Sequence, residues 1–420
     1  MRDAIQAVLN DPLSISIGCS LFVFAFFLPP NPAHFRSRLF KNTRYRHRSL
    51  DMLINRRVVD PFYVRSRILA SLRSFLQRDG FVEVETPILW TNHGGANAKP
   101  FETRSNALSS STNMSVQDGS DSVESPSSSS SSSTGLPLYL RIAPELFLKQ
   151  CIIGGMEKVF EVSKVFRNEG MDATHNPEFT TVEFYQAWTN YNDLMQFTQD
   201  LFQHVTVSSI GRSNIPIKNR YNGESVVIDF SEPFARIDVM DGLKSALNYT
   251  AADELPDPNN EESIPFYLEQ CHKHGISVGL PHTLPRLLDA LIGHFLEPQC
   301  IRPTFLLHHP LCMSPLARTH STRPGLTERF ELFINGQEYV NAYSELNDPK
   351  DQLRRMEEQA KAANEGDQEA QPVDQQFCGQ EEGEREGGRG REQLTRKDLD
   401  AINHRLNEWN HPFLPPLSNR

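Results

Sequence analysis

Between Val64 and Leu76 apolar side chains recur at 64, 68, 69, 72, 75 and 76, the spacing of one face of an amphipathic helix, and Gly80 follows as its stop. Phe81 to Thr86 then alternates as a strand and ends at Pro87. Val159 to Phe166 and Thr180 to Trp188 read as two further strands, joined by a polar link longer than a tight hairpin needs. In that period-two reading Arg167 and Glu169 share one face of the first strand, and Glu183 and Tyr185 share one face of the second. Helical spacing returns over Tyr191–Val205, Val239–Leu247 and Leu284–Leu296, and a charged helix is expected over Lys350–Ala363. Val226–Phe230 and Pro303–Leu306 read as strands, with a polar loop at Pro256–Glu262. Arg329 to Leu346 is the clearest hairpin, because Asn335-Gly336 is a type I′ turn signal between alternating strands.

Composition qualifies this pattern in three places. Ser109 to Gly135 is dominated by serine and has almost no apolar side chains, so it cannot bury enough surface to offset its ordering entropy. It separates the apolar runs Phe101–Thr103 and Leu138–Arg141, and residues 105–136 are read as a disordered insertion at a hairpin tip. Leu13 to Leu28 is apolar and uncharged but shorter than the roughly 20 residues of a spanning helix, and Pro29-Pro30 stops it. Residues 1–42 are left unassigned, and no stable membrane association is expected. After Phe377 the text turns into Glu-, Gly- and Arg-rich sequence, and 378–420 is read as a disordered tail. A net charge of −11 argues against a general nucleic-acid coat protein without excluding local basic patches. The six cysteines include no C-x-x-C pair, which speaks against structural zinc or a disulfide framework.

The chemistry gathers in Phe166-Arg167-Asn168-Glu169-Gly170, His175-Asn176-Pro177-Glu178-Phe179-Thr180 and Glu183-Phe184-Tyr185. A planar guanidinium beside carboxylates suits a phosphate and an ammonium bound side by side. These residues resemble motif 2 of class II aminoacyl-tRNA synthetases, in the form found in lysyl-tRNA synthetases. The helix–strand–proline unit before them resembles motif 1, which builds the homodimer interface of that family. The resemblance covers roughly residues 43–377 and implies an α+β fold: a class II synthetase-type antiparallel β-sheet flanked by helices, incomplete at the C-terminal end.

It also implies roles for single residues. Arg167 and Glu169 are the candidate catalytic pair, with Arg167 on the α-phosphate of ATP. His175, Asn176 and Phe179 line the ATP pocket, Phe179 stacking on adenine. A free lysine carries two ammonium groups and a carboxylate, and Glu145, Glu183, Tyr185 and Glu345 supply the complementary groups. Gly95 permits close backbone approach, and Asn341 and Tyr343 complete the wall. Glu331 and Glu338 sit diagonally on one face of the Asn335-Gly336 hairpin, where they suit Mg²⁺ bridging phosphate oxygens. Regular alternation from there would put Asn341, Tyr343 and Glu345 on the opposite face, so one shared pocket requires a β-bulge between Glu338 and Asn341.

The sequence departs from the family at both ends. Lysyl-tRNA synthetases carry an N-terminal anticodon-reading β-barrel that residues 1–42 cannot form, and end on a glycine-rich motif 3 that Gly387–Arg391 does not match. The expected activity is a lysine–tRNA ligase: lysine and ATP give lysyl-adenylate, which is passed to tRNA(Lys) by a homodimer. Two alternatives stay open: a truncated, non-catalytic synthetase fragment, and a stand-alone lysyl-transferase acting on a protein lysine. The expected compartment is the mitochondrion, with the cytoplasm as the alternative.

Overall fold

A short basic helix, α1 (Lys41–Arg46), and a second short helix, α2 (Arg48–Ile54), lead into α3 (Asp60–Arg78) in the computed structural model. It describes residues 41–364 except 92–93, 97, 106–135, 172–174 and 251–252. By backbone contacts the chain divides into Met1–Phe377 and Cys378–Arg420, and all described residues belong to the first unit. The readings for 1–40, for the serine-rich stretch 106–135 and for 378–420 fall outside them. Helix α3 buries Val64, Ile68, Leu72, Phe75 and Leu76 on the expected face. Each such side chain contributes about 1.5–3 kcal/mol by leaving water. The helix ends where Gly80 takes φ 88°, donating to Gln77 O while Phe81 N–H reaches back to Leu76 O. Only a residue without a Cβ adopts that left-handed turn cheaply.

The strand expected over Phe81–Thr86 shrinks to β1 (Val82–Glu83), which lies parallel to β5 (Lys158–Phe166). Between them come β2 (Leu89–Trp90), β3 (Glu102–Ser105), β4 (Leu136–Leu140) and helix α4 (Glu145–Ile153). β3 and β4 pair antiparallel out to Ser105↔Leu136. The hairpin read around the serine-rich segment is therefore present, and its strands include both boundary residues of the expected insertion. β5 pairs antiparallel with β6 (Glu178–Gln186), with Glu161 opposite Glu183 and Val159 opposite Tyr185. β5 ends at Phe166, so Arg167 and Glu169 do not share a strand face; they belong to the connection, whose base Arg167 N–H closes on Pro177 O.

Helix α5 (Tyr191–Ile210) follows, opened by a capping box between Asn190 and Asp193 and closed at Gly211. A hairpin of β7 (Asn214–Lys218) and β8 (Ser225–Asp229) leads to β9 (Ala235–Asp238). Helices α6 (Val239–Ala246), α7 (Ile264–Lys273) and α8 (Leu284–Phe295) then carry the chain to β10 (Thr304–Leu307). Antiparallel β11 (Arg329–Ile334) and β12 (Gln337–Tyr343) complete a sheet of order β12-β11-β10-β9, and α9 (Pro349–Asn364) closes the described chain.

The single antiparallel sheet expected from the sequence is a mixed arrangement. Among the described residues no ladder joins β6 to β12, and each main sheet has one parallel pair, β1 with β5 and β9 with β10. Both parallel pairs are joined by long crossovers containing helices, the connection that parallel strands require. What unites the sheets is packing: Phe160 and Phe184 from one and Phe305, Phe330 and Leu332 from the other share a core with α3 and α5. On the other face of the second sheet Leu306 and Phe333 pack on α6, α7 and α8 through Val239, Leu243, Tyr267, Leu287 and Leu291.

The β11–β12 hairpin turns at Asn335 (φ 54°) and Gly336 (φ 66°), the two left-handed residues of a type I′ turn. Phe333 faces Glu338, but Leu332 faces Val340, so Tyr339 is an extra residue on β12. Tyr339 and Val340 both enter the core as a consequence. This is the expected bulge, and it lies in the expected interval between Glu338 and Asn341.

Candidate amino-acid and nucleotide site

The bulge brings Glu331, Glu338, Asn341 and Tyr343 to one face, since Glu331 pairs with Asn341, Arg329 with Tyr343 and Phe333 with Glu338. Arg329 organises this face. It donates to Asn341 Oδ1 at 3.0 Å, to Glu331 Oε1 at 2.5 Å, and to Met313 O and Ser314 Oγ at 2.6 and 2.9 Å. His309 Nε2 lies 3.2 Å from the other Glu331 oxygen. Burial alone would raise the Glu331 carboxyl, but His309 and Arg329 outweigh it and bring it to about 2. Among the described residues Glu338 makes no ion pair of its own, and Arg329 lowers it only as a nearby charge. Burial and repulsion from Glu331 push it well above the usual carboxylate range.

The neighbouring pocket is lined by carboxylates. Glu145 stands at the start of α4, buried, and its Oε1 accepts from Tyr343 Oη at 2.9 Å. Lys149, one turn along the same helix, places Nζ 2.7 Å from Glu145 Oε1 and 2.5 Å from Glu345 Oε2. Gly95 packs against the helix start: a Cβ there would sit 3.0 Å from that of Glu145, and its φ of 87° is left-handed. Glycine is required there on both counts. From β6, Tyr185 Oη donates to Glu183 Oε2 at 3.1 Å, which confirms their common face, while Glu183 Oε1 is buried without a hydrogen-bond partner.

Burial drives the titration of this pocket. It raises Glu183 well above the carboxylate range, with Glu145 adding repulsion and Tyr185 opposing. It lifts Glu345 to about 8 although Lys149 pulls the other way. Tyr185 and Tyr343 are held neutral by burial and by the same carboxylates. Glu161, opposite Glu183, is answered from below: Arg141 Nη1 lies 2.7 Å from Glu161 Oε1 and Thr86 Oγ1 donates to Oε2 at 2.6 Å. That ion pair fixes the floor of the pocket, linking β4, β5 and the segment after β1.

The nucleotide-side candidates are arranged differently. Phe179 is buried, faces Val165 across the hairpin, and carries the Arg167 guanidinium 5.4 Å over its ring. Asn168 N–H donates to Lys99 O at 2.7 Å, tying this connection to the loop that holds Gly95. Glu169, His175 and Asn176 are solvent-exposed. The structure thus gathers Gly95, Glu145, Glu183, Tyr185, Asn341, Tyr343 and Glu345 with Glu331 and Glu338 close by, and sets Glu169, His175 and Asn176 on an open loop.

Sequence reading missed Lys149, Arg329, Arg141, Glu161 and His309. Two signals were available: Lys149 is four residues from Glu145 on a helix, and Arg329 two residues from Glu331 on a strand. Arg141 and Glu161 meet only through tertiary packing and carry no such local signal.

The model of the family tRNA synthetases class II (D, K and N) matches residues 40–382. A probable cytoplasmic lysine–tRNA ligase of Encephalitozoon cuniculi is 44% identical over 339 residues, covering 80% of this chain and 61% of that protein. A lysine–tRNA ligase (cla4) of Cladosporium cladosporioides is 42% identical over 340 residues, covering 80% of this chain and 52% of its own length. A lysine–tRNA ligase of Streptococcus agalactiae is 41% identical over 353 residues, covering 83% and 63%. The chain therefore spans between 52% and 63% of the length of these three relatives.

Proposed function

The chain belongs to the class II tRNA synthetases of the D, K and N group, and from that premise we propose that it is a lysine–tRNA ligase. The observation that carries the choice of amino acid is the convergence of buried Glu145 and Glu183 and half-buried Glu345 around Tyr185 and Tyr343. An acidic pocket of this kind rejects aspartate by like charge and leaves buried acceptors unpaired with asparagine, whereas an ammonium satisfies them. The open Glu183 Oε1 is the acceptor for a substrate ammonium.

In the first step a carboxylate oxygen of lysine attacks the α-phosphorus of ATP, forming the acyl-phosphate bond of lysyl-adenylate and releasing pyrophosphate. Arg167 holds the α-phosphate and offsets the charge that grows on it, positioned by the Phe179 ring beneath. Glu169, His175 and Asn176 contact the nucleotide from the exposed loop. In the second step a terminal ribose hydroxyl of tRNA attacks the acyl carbon, passes its proton to solvent, and displaces AMP.

Glu331 and Glu338 would hold a magnesium ion. They are two half-buried carboxylates on one face, Glu331 ion-paired to Arg329 and Glu338 opposed by that cation only as a nearby charge. Among the described residues no group of three or more His, Cys, Asp or Glu side chains is disposed to hold a metal by itself. Bound there, Mg²⁺ neutralises phosphate charge and stabilises the leaving pyrophosphate.

Lysine-dependent exchange of labelled pyrophosphate into ATP on the purified chain tests activation. Exchange with lysine and not with aspartate or asparagine is expected; none from folded protein overturns the reading. Transfer of labelled lysine to tRNA rather than to a protein acceptor is expected and separates a ligase from a protein lysyl-transferase. A homodimer is proposed with it, and light scattering on the purified chain should give the mass of two chains. The mitochondrion is the compartment proposed from the apolar N-terminal stretch. The cytoplasm is the second reading, since the Encephalitozoon relative bears that designation. Cell fractionation decides between them.

A further inference from the structure

Lys149 places one ammonium between two of the three pocket carboxylates. It is 10% exposed, contacts Glu145 and Glu345 at 2.7 and 2.5 Å, and lies 5.8 Å from the centre of the Tyr343 ring. Glu145 comes from the start of α4, whereas Glu345 follows the end of β12, so this side chain joins two elements far apart in the chain. The third carboxylate, Glu183, is answered by Tyr185 on one oxygen and by no hydrogen-bond donor on the other. The protein has thus supplied its own cation to one pair of acids, while Glu183 Oε1 and Glu345 Oε1 are left without a donor.

Charge explains why such a cation belongs there. Three carboxylates in a buried pocket repel one another, and without a counter-ion they retain protons at neutral pH and become poor ammonium acceptors. A bound lysine brings two ammonium groups and one carboxylate, a net of one positive charge, too little to balance three acids. With Lys149 in place the remaining demand is closer to what the substrate brings.

We propose that Lys149 is a positioning residue of the amino-acid subsite, an internal ammonium that clamps Glu145 to Glu345 and directs the substrate's ammonium to Glu183. This rests on the lysine-activating reading above. A place-holding ammonium that gives way to the substrate is the competing idea. It requires Lys149 to abandon two short ion pairs in a pocket where little of it reaches solvent.

Lys149 meets Glu145 from α4, Glu345 beyond β12 and the Tyr343 ring; Glu145 in turn acts on Glu183 and Tyr185 from β6, Arg329 from β11 acts on Tyr343, and Arg141 and Glu161 lie behind Glu183. Burial disfavours the Lys149 ammonium, but Glu145 and Glu345 outweigh it and hold its pKa above the usual range. Glu345 already stands at about 8 with Lys149 pulling it down. Removing that cation lets the carboxyl titrate higher still.

The test compares the full chain with Lys149→Met, Lys149→Gln and Lys149→Arg, each checked for folding by circular dichroism. Lysine binding is followed by calorimetry from pH 7 to pH 9, and the glutamate carboxyls of the unliganded proteins by carbon-13 NMR. At pH 7 the Met variant should bind lysine about 30-fold more weakly, since its acids hold protons. The deficit should shrink towards pH 9 as they ionise, and Arg should restore binding to within about threefold. The Gln variant covers the case in which Met does not fold. Tighter binding by Met or Gln identifies a place-holder and overturns the proposal. A deficit independent of pH and not restored by Arg shows a merely structural role and overturns it equally. If the wild-type chain binds no lysine, the function proposed above fails while the clamp is still decided. An upward shift of carboxyl titration in the unliganded Met or Gln variant upholds it, and no shift ends it.

Discussion

The two halves of the site are built on opposite principles. The amino-acid half hangs on regular elements: Glu145 and Lys149 on α4, Glu183 and Tyr185 on β6, Asn341 and Tyr343 on β12, nearly all of them buried and bonded to one another. The nucleotide half proposed above follows Phe166 into a connection where Glu169, His175 and Asn176 are exposed, while Arg167 lies over Phe179 and Asn168 N–H is tied to Lys99 O. Rigid strands and a helix suit a selection among small side chains, because a misplaced acceptor costs the buried polar group its partner. A solvent-exposed loop suits a large ligand that brings its own charge and must leave after each turnover.

Substitutions can break this division, and the largest effect is expected at the seam. Arg167→Ala should lower lysine-dependent pyrophosphate exchange by about a thousandfold, because the proposed function places this guanidinium on the reacting phosphate. Thermal denaturation should show a loss of about 1 kcal/mol or less, since the guanidinium is only half-buried. A large stability loss with unchanged exchange per folded molecule would make Arg167 structural.

Glu183→Gln comes next and moves activity and stability in opposite directions. The KM for lysine should rise about a hundredfold, with the KM for ATP within about threefold. The sign for stability follows from the raised carboxyl. A group whose pKa is higher folded than unfolded stabilises the fold below the unfolded value of about 4.3, and that contribution fades as pH rises towards the folded value. The wild type should therefore lose stability from this group as pH climbs from about 4.3, and the glutamine variant should not. Denaturant melts at pH 5 and pH 8 read the difference. A variant less stable than wild type at pH 8 would show that Glu183 is no burden on the fold.

How much of this was legible beforehand divides along the same line. The spacing of Val64 to Leu76 and the Asn335-Gly336 pair are local signals, and both elements formed as read. Strand parity even demanded a bulge between Glu338 and Asn341, where the structure has it at Tyr339, because a shared pocket is impossible without it. Parity failed at Arg167 and Glu169 because alternation has meaning only while the ladder lasts, and β5 stops one residue earlier. The mixed direction of the sheets and the Arg141–Glu161 floor depend on which segments meet in space. A period along one segment cannot encode that. The counter-ion was missed for a different reason: Lys149 looks like an ordinary helix-surface lysine until Glu345 arrives from nearly two hundred residues away.

Gly95 offers a gentler way to sharpen the comparison, since it touches the rigid half without supplying a charge. Alanine there must hold φ 87° and find room 3.0 Å from the Glu145 Cβ, so about 1–2 kcal/mol of stability should be lost. Glu145 must also yield, which should raise the lysine KM about tenfold while the ATP KM stays put. Equal changes in both constants would mean that the Asn168–Lys99 hydrogen bond transmits strain from this loop to the nucleotide side.

The smallest expected effect is that of His175→Ala on the open loop. Its ring is exposed, so melting should change by less than about 0.5 kcal/mol. Loss of one polar contact to a bound nucleotide should raise the ATP KM about tenfold and leave the lysine KM untouched. Combined with Gly95→Ala, the two effects on binding should add if the two parts of the site act independently. A double variant whose lysine KM departs from the single-variant product would show that the loop closes over the amino-acid pocket when ATP binds, and the two halves would then be one coupled device.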